Sequence, residues 1–200
     1  MQTTELVLHG LVVRKAGTAE QVAAALGLAE PEARAALDDA LASGDAAGAR
    51  GTYMPTPAGR ARLDAAYPQA YAQVREDAVV TSAADRFEVV NRRLLALLTR
   101  WQSVPQAGST VPNDHSDPAY DNAVLDELGD LHERAEPILG VLSGAVPRLA
   151  VYTDRLAAAY DRALAGEHDY VSGVRVDSYH TVWHELHEDL LRILGRTRQG

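Results

Sequence analysis

The sequence predicts a mainly α-helical protein in two parts. Three observations lead there. Apolar residues recur at helical spacing through most of the chain. One short stretch near Arg50-Gly51 reads as a turn between two extended segments. Helix-opening and helix-closing residues punctuate the remainder. A chain of 200 residues accommodates two domains, and a hydrophobic share of 46% is enough to pack a core in each.

The elements follow in order. Leu6, Val7, Leu11 and Val12 make a buried stripe on a first helix, Glu5 to about Lys15, and Gly17 suits its C-terminal cap. Thr18 and Gln21 have capping-box spacing and open a short helix through Val22, Ala23, Ala25 and Leu26. Pro31 suits the first position of a third helix that runs to Ser43 and stops at Gly44. Ala46 to Arg50 and Thr52-Tyr53-Met54 flank a turn, and Thr56-Pro57 pairs an N-cap with a first-position proline. Residues 65–79 read as a connector. A long helix to about Trp101 carries Phe87, Val90, Leu94, Leu97 and Leu98 on one stripe, with Asn91 beside it. Gln102 to Pro118 reads as a loop rich in Pro, Gly, Ser and Asp. Helices near Ala119, from about Arg148 to Ala165 and from about Asp177 to Leu194 complete four amphipathic helices, with Pro137 and Pro147 as breaks. Short connections between such helices predict an antiparallel, bundle-like arrangement.

Three helices, a small hairpin and a capped helix are the order of a winged helix-turn-helix. Glu5 to Leu63 resembles that superfamily, and Met54-Pro55-Thr56-Pro57-Ala58-Gly59-Arg60 looks like the end of its wing. The domains are thus expected at 1–64 (winged helix) and 80–200 (helical), joined by 65–79. Further runs carry a second resemblance: Trp101-Gln102, Pro112 to Asp121, Leu131 to Ala135 and Asp177 to Leu190. They resemble a winged-helix-plus-helical module that accompanies bacterial pyruvate phosphate dikinase-like, phosphoenolpyruvate-utilising proteins. The resemblance implies work beside small-molecule metabolism and supplies no catalytic roles. The chain shows none of the nucleotide-binding or phosphohistidine parts of those enzymes, so a complete dikinase is not expected.

Composition narrows the chemistry. The chain has no cysteine, which removes disulfides, thiolates and zinc–cysteine sites. The start lacks the basic and apolar regions of a signal peptide, and no apolar run reaches the ~18 residues of a membrane span. A cytoplasmic protein without membrane contact is expected. Abundant alanine and arginine, with Lys15 the single lysine, points to a bacterial source.

The last helix is the most informative segment. At 100° per residue its apolar face holds Tyr179, Val182, Trp183, Leu186, Leu190, Ile193 and Leu194. His180, His184 and His187 fall on a narrow stripe bordering that face, with Asp177 and Glu188 beside them. Glu185 and Asp189 are expected toward solvent. A histidine stripe at the edge of a core suits a pocket wall and titrates near neutral pH. Along one straight helix the first and third histidines stand ~10 Å apart, too far for one ion, so no metal is expected. The equally bland reading is a row of hydrogen-bonded histidines at a boundary.

The loop Asn113-Asp114-His115-Ser116-Asp117 is the second candidate. Asp117 before Pro118 is explained as a helix cap. Asp114 and His115 are not, and an Asp–His couple is a usual way to set a tautomer. His180, His187, His115, Asp114 and Asp177 are therefore the candidate acid, base or ligand groups. Asn91, Tyr120, His132, Trp183, His184 and Glu188 are candidate ligand contacts, with a polar cavity expected against His180 and His187. No phosphate-cradling loop or dinucleotide fingerprint occurs, so no organic cofactor is expected.

DNA is weighed on the third helix. Glu32, Arg34, Asp38 and Asp39 make it acidic, where recognition helices present basic and amide side chains. Arg34, Arg50 and Arg60 are the candidate phosphate contacts. A formal charge of −9 further opposes a phosphate backbone. The leading expectation is a small-molecule-binding protein, with cofactor-free acid–base chemistry (elimination, isomerisation, cyclisation or hydrolysis) if it is an enzyme. The alternatives are a ligand-responsive winged-helix regulator and a partner module of a phosphotransfer enzyme. Association of copies is left open.

Overall fold

The computed structural model describes residues 1–106 and 108–197. The protein is mainly α-helical, with two small antiparallel hairpins. It divides into two compact units: Met1–Asp77 with the chain from Glu185 onward, and Ala78–His184.

In the first unit, α1 (Thr3–Arg14), α2 (Ala19–Leu26) and α3 (Glu30–Ala42) are followed by β1 (Ala46–Ala49), β2 (Thr52–Pro55), α4 (Pro57–Ala70) and the short α5 (Ala72–Glu76). The expected signals act locally. Thr18 and Gln21 form the capping box of α2, and the Thr56 side chain accepts from Gly59 N at the start of α4. Arg50 and Gly51 take φ of 53° and 78° in the β1–β2 turn, the two positive values of a type I′ connection whose twist suits a hairpin. Val7, Leu11, Val22, Leu26, Ala33, Leu37 and Tyr53 make the core that these elements share.

Residues 65–79, read as a connector, are largely helical. α4 continues through Pro68 to Ala70, and α5 follows at once. The reason is packing: Tyr67 and Tyr71 are buried one turn apart and stack on each other.

The second unit begins with α6 (Ala78–Gln102). The expected loop after it is partly a hairpin, β3 (Ser103–Gln106) paired with β4 (Ser109–Pro112), Ser103 opposite Pro112. α7 (Pro118–Ala145) follows, capped by Asp117, whose side chain accepts from Ala119 N and Tyr120 N. Pro137 does not break α7. It lies on the exposed side, where the lost backbone bond is tolerated more easily than in the core. A 3₁₀ turn (Pro147–Leu149), α8 (Ala150–Leu164), the short α9 (Asp169–Ser172) and α10 (Tyr179–Leu194) complete the chain. α6 and α7 pack along each other, and α7 meets α8.

The expected boundary also shifts at the C-terminus. The division falls inside α10, between His184 and Glu185. Glu185 and Asp189 are not solvent-facing but buried, at 5% and 0% exposure. Both find partners on α1: Arg14 Nη1 lies 2.7 Å from Glu185 Oε1, and His9 Nε2 lies 3.1 Å from Asp189 Oδ1. A second sector of α10 is therefore buried by the first unit, which a single apolar stripe does not reveal.

Candidate functional site

The best-formed polar constellation lies in the second unit, around the segment between β4 and α7. Asn113 starts it. Its backbone N–H donates to Gln102 O, closing the hairpin onto the end of α6. Its side-chain amide donates to Trp101 O at 3.0 Å and to Asp121 Oδ1 at 2.9 Å, and its carbonyl accepts from His115 N at 3.1 Å. This turn sets His115 in the left-handed region, φ 58°, a conformation uncommon outside glycine and asparagine-like residues and held here by its surroundings.

His115 then meets Asp121, one turn into α7, with Nδ1 3.0 Å from Oδ2. Asp121 is 3% exposed, so its carboxylate depends on these two partners. Asn113 has only two amide hydrogens, and both are used on Trp101 O and Asp121 Oδ1. Its 3.2 Å approach to His115 Nδ1 is thus proximity, and Nδ1–H points at Asp121. That assignment leaves Nε2 of neutral His115 with a lone pair, able to take a proton or accept a hydrogen bond from a ligand. The ring is half-buried, against Trp101 (centroids 4.6 Å) and His168 (4.8 Å).

His168, at the start of α9, escaped the sequence reading altogether. It sits in a turn with no periodic or motif signal, and its ring meets the end of α6 edge-on at Trp101, centroids 5.3 Å apart. One donor atom each from His115, Asp121 and His168 lies within 4.8 Å of the others, a set that could hold a divalent ion. An ion would have to displace the Nδ1 proton and the Asn113 contact, because both Asp121 oxygens already have partners.

Two depressions lie near the His115 segment, one beside its sequence neighbours and one beside His168, and His115 itself lines neither. One, about 560 Å³, is lined by Val104, Pro105, Val111, Pro112, Asp114 and Tyr120 among others. The other, about 420 Å³, is lined by His168, Glu167, Asp169 and Tyr170 with Gly166 and Val176. Carboxylates on both rims favour a cationic or neutral, hydrogen-bonding ligand over an anion.

The remaining candidates fall elsewhere. Asp114 is not the partner of His115. It bonds Ser116, and these hydrogen bonds hold its carboxyl below the usual range. Tyr120 borders the first depression and donates to Arg100 O. The Asn91 carbonyl accepts from Trp183 Nε1 at 3.0 Å, and Trp183 is buried between Phe87 and Tyr179. Its role there is to satisfy an indole in the core. His132 packs on Tyr160 and Tyr179 and contacts the Tyr179 hydroxyl at 3.2 Å. Burial pushes the Tyr179 hydroxyl far up, so it stays protonated. Asp177 pairs with Arg155 at 3.0 Å, and Glu188 with Arg192 at 2.7 Å. Arg155 lies on α8, Asp177 just before α10, and Glu188 and Arg192 one turn apart on α10.

The histidine stripe of α10 is divided. His180 and His184 are half-buried in the second unit, while His187 is 7% exposed and belongs to the first. The depression lined by Asp114 and Tyr120 and the one lined by His168 include neither His180 nor His187. Burial alone lowers the His180 pKa, so His180 is neutral at pH 7. The unfolded chain takes up a proton at about pH 6.5, and the fold resists it. Stability present above that pH is therefore lost as pH falls below it. Between pH 7.5 and 5.5 the wild type should lose more stability in urea unfolding than His180→Gln. Parallel losses would show that His180 is not the responsible group.

In the first unit, Arg34 is tied to Glu30 at 2.5 Å, and Glu32, Asp38 and Asp39 are exposed on the same helix. Arg50 is exposed in the β1–β2 turn and Arg60 half-buried on α4. No protein-family model matches the chain, and no curated protein or solved structure resembles it at a significant level.

Proposed function

We propose that the protein binds a cationic or neutral small molecule in its helical unit and acts on it through His115 by acid–base chemistry, without an organic cofactor. The observation that carries this reading is the Asp121–His115 couple, 3.0 Å between Oδ2 and Nδ1. A buried carboxylate fixes the tautomer and leaves Nε2 as the base, on a segment whose neighbours Asp114 and Ser116 line a depression. His168 and Tyr120 are the nearest groups for orienting a ligand. The reading is tested by an NMR screen of small amines, polyols and carboxylates, watching the His115 ring and Trp101 indole signals. Amines or polyols should shift both signals, and His115→Gln should abolish the response. A screen in which only carboxylates respond, or in which the response survives that substitution, overturns it.

A second reading has one observation in its favour. The order α1–α2–α3–β1–β2–α4 is that of a winged helix, the fold of many ligand-responsive regulators. The acidic surface of α3 argues against duplex binding, since affinity grows with each phosphate neutralised. The expected result is weak, salt-sensitive, non-specific binding. Sequence-specific retention of duplex DNA at ~150 mM salt would make the regulator the better reading. A docking role beside a phosphoenolpyruvate-utilising enzyme rests on the sequence resemblance alone.

A further inference from the structure

A different face of the second unit carries the opposite charge. Along α6, Arg86, Val89, Val90 and Arg93 fall at helical spacing on one side. Along α7, Arg134, Pro137 and Ile138 do the same. The two rows line one groove of about 300 Å³ whose walls include no carboxylate. Its floor is apolar, and Val89 is 45% exposed. Among the described residues, Arg86, Arg93 and Arg134 take part in no ion pair or hydrogen bond. In a chain of net charge −9, three uncommitted guanidinium groups around an apolar floor are a departure from the rest of the surface. The neighbouring depression shares Arg93 and Arg134 and adds Asp126, Glu127 and Asp130, and Glu127 is already paired with Arg100. The positive end of the groove is thus toward Arg86.

We infer that this groove binds a small organic anion with an apolar body, a carboxylate on an aliphatic chain. Guanidinium forks match a carboxylate in two parallel N–H···O bonds, and each is stronger than a neutral hydrogen bond. The valine, proline and isoleucine floor removes the chain from water. Neither feature alone selects this class: an inorganic anion gains nothing from the floor, and an aliphatic amine is repelled by the rim. The inference is independent of the His115 site, whose rims carry the opposite sign.

The test uses the full-length protein with octanoate, octylammonium and inorganic phosphate as probes, read by calorimetry and by NMR shifts at Val89 and Ile138. Octanoate should bind, and octylammonium and phosphate should bind at least tenfold more weakly. Arg93→Gln should weaken octanoate at least tenfold, whereas Arg92→Gln, which removes the same charge one residue away and outside the groove, should leave it unchanged. Equal effects of the two substitutions would reduce the finding to overall charge and overturn the inference. So would equal binding of octylammonium, or binding to anionic lipid vesicles with none to monomeric octanoate. Melting temperatures of both variants report that they fold, and these exposed positions should leave them within a degree or two of the wild type.

Discussion

Replacing Asp189 by Ala should lower the unfolding free energy by about 3–5 kcal/mol, the range for removing one partner of a buried pair that is charged when His9 is protonated. Asp189 and His9 are both fully buried, with Oδ1 and Nε2 3.1 Å apart. The other face of the imidazole is fixed too, since Nδ1 lies 2.6 Å from the Tyr67 hydroxyl. Tyr67 in turn stands edge-on to His9 and stacks on Tyr71. The ring cannot swing out to water when its partner is lost, so its desolvation goes uncompensated. Alanine also leaves a void at the contact between α1 and α10. Asp189→Asn keeps the volume and one acceptor and should cost less, about 1–3 kcal/mol. Urea unfolding of the three proteins decides the matter. A cost below about 1 kcal/mol for the alanine variant would show that α1 and α10 are held by their apolar contacts alone.

Replacing His115 by Gln should reduce turnover of the ligand found by the screen by about 10²–10⁴-fold, the contribution of a positioned general base. Glutamine can still donate to Asp121, so the fold and the melting temperature should hold, while the imidazole base is gone. Asp121→Asn gives the mechanistic check. The amide would present a donor to Nδ1, reverse the tautomer and place the hydrogen on Nε2. A loss of the same order, with the ligand still bound, is the result expected if Asp121 sets the tautomer. If Asp121→Asn unfolds the protein, Asn113→Ala offers a milder perturbation. It removes the donors to Asp121 Oδ1 and Trp101 O and the acceptor for His115 N, leaves both members of the Asp121–His115 couple, and should reduce turnover less than either. Undiminished turnover in His115→Gln would assign the Asp–His couple to holding the β4–α7 segment.

Where the sequence was readable, the signal was local. The Thr18–Gln21 capping box, the Thr56-Pro57 and Asp117-Pro118 helix starts and the buried stripe of α6 all depend on residues within a turn or two of one another. Short-range hydrogen bonding and 3.6-residue periodicity therefore determine the elements and their order. The hairpin after Gln102 was missed because proline at positions 105 and 112 reads as loop, although these edge strands tolerate it. The polar loop that carries His115 was legible, but the partner of its ring was not. Asp114 is adjacent in sequence, yet its side chain turns to Ser116, while Asp121 comes round after one turn of α7.

By itself, then, the sequence determined a mainly helical chain, its capped helix starts and the polar segment around His115. Only the tertiary structure decided which groups meet. His9 lies on an apolar stripe and was passed over, because nothing local announces a carboxylate 180 positions away. A helical wheel assigns angles on α10 but not the number of surfaces that cover it, so Glu185 and Asp189 were placed in water when the first unit buries them. His168 joins His115 through the packing of α9 near the end of α6, and three arginines from α6 and α7 line one groove because those helices lie side by side. Each of these depends on long-range packing, where the burial of apolar surface outweighs the local preferences that a sequence displays.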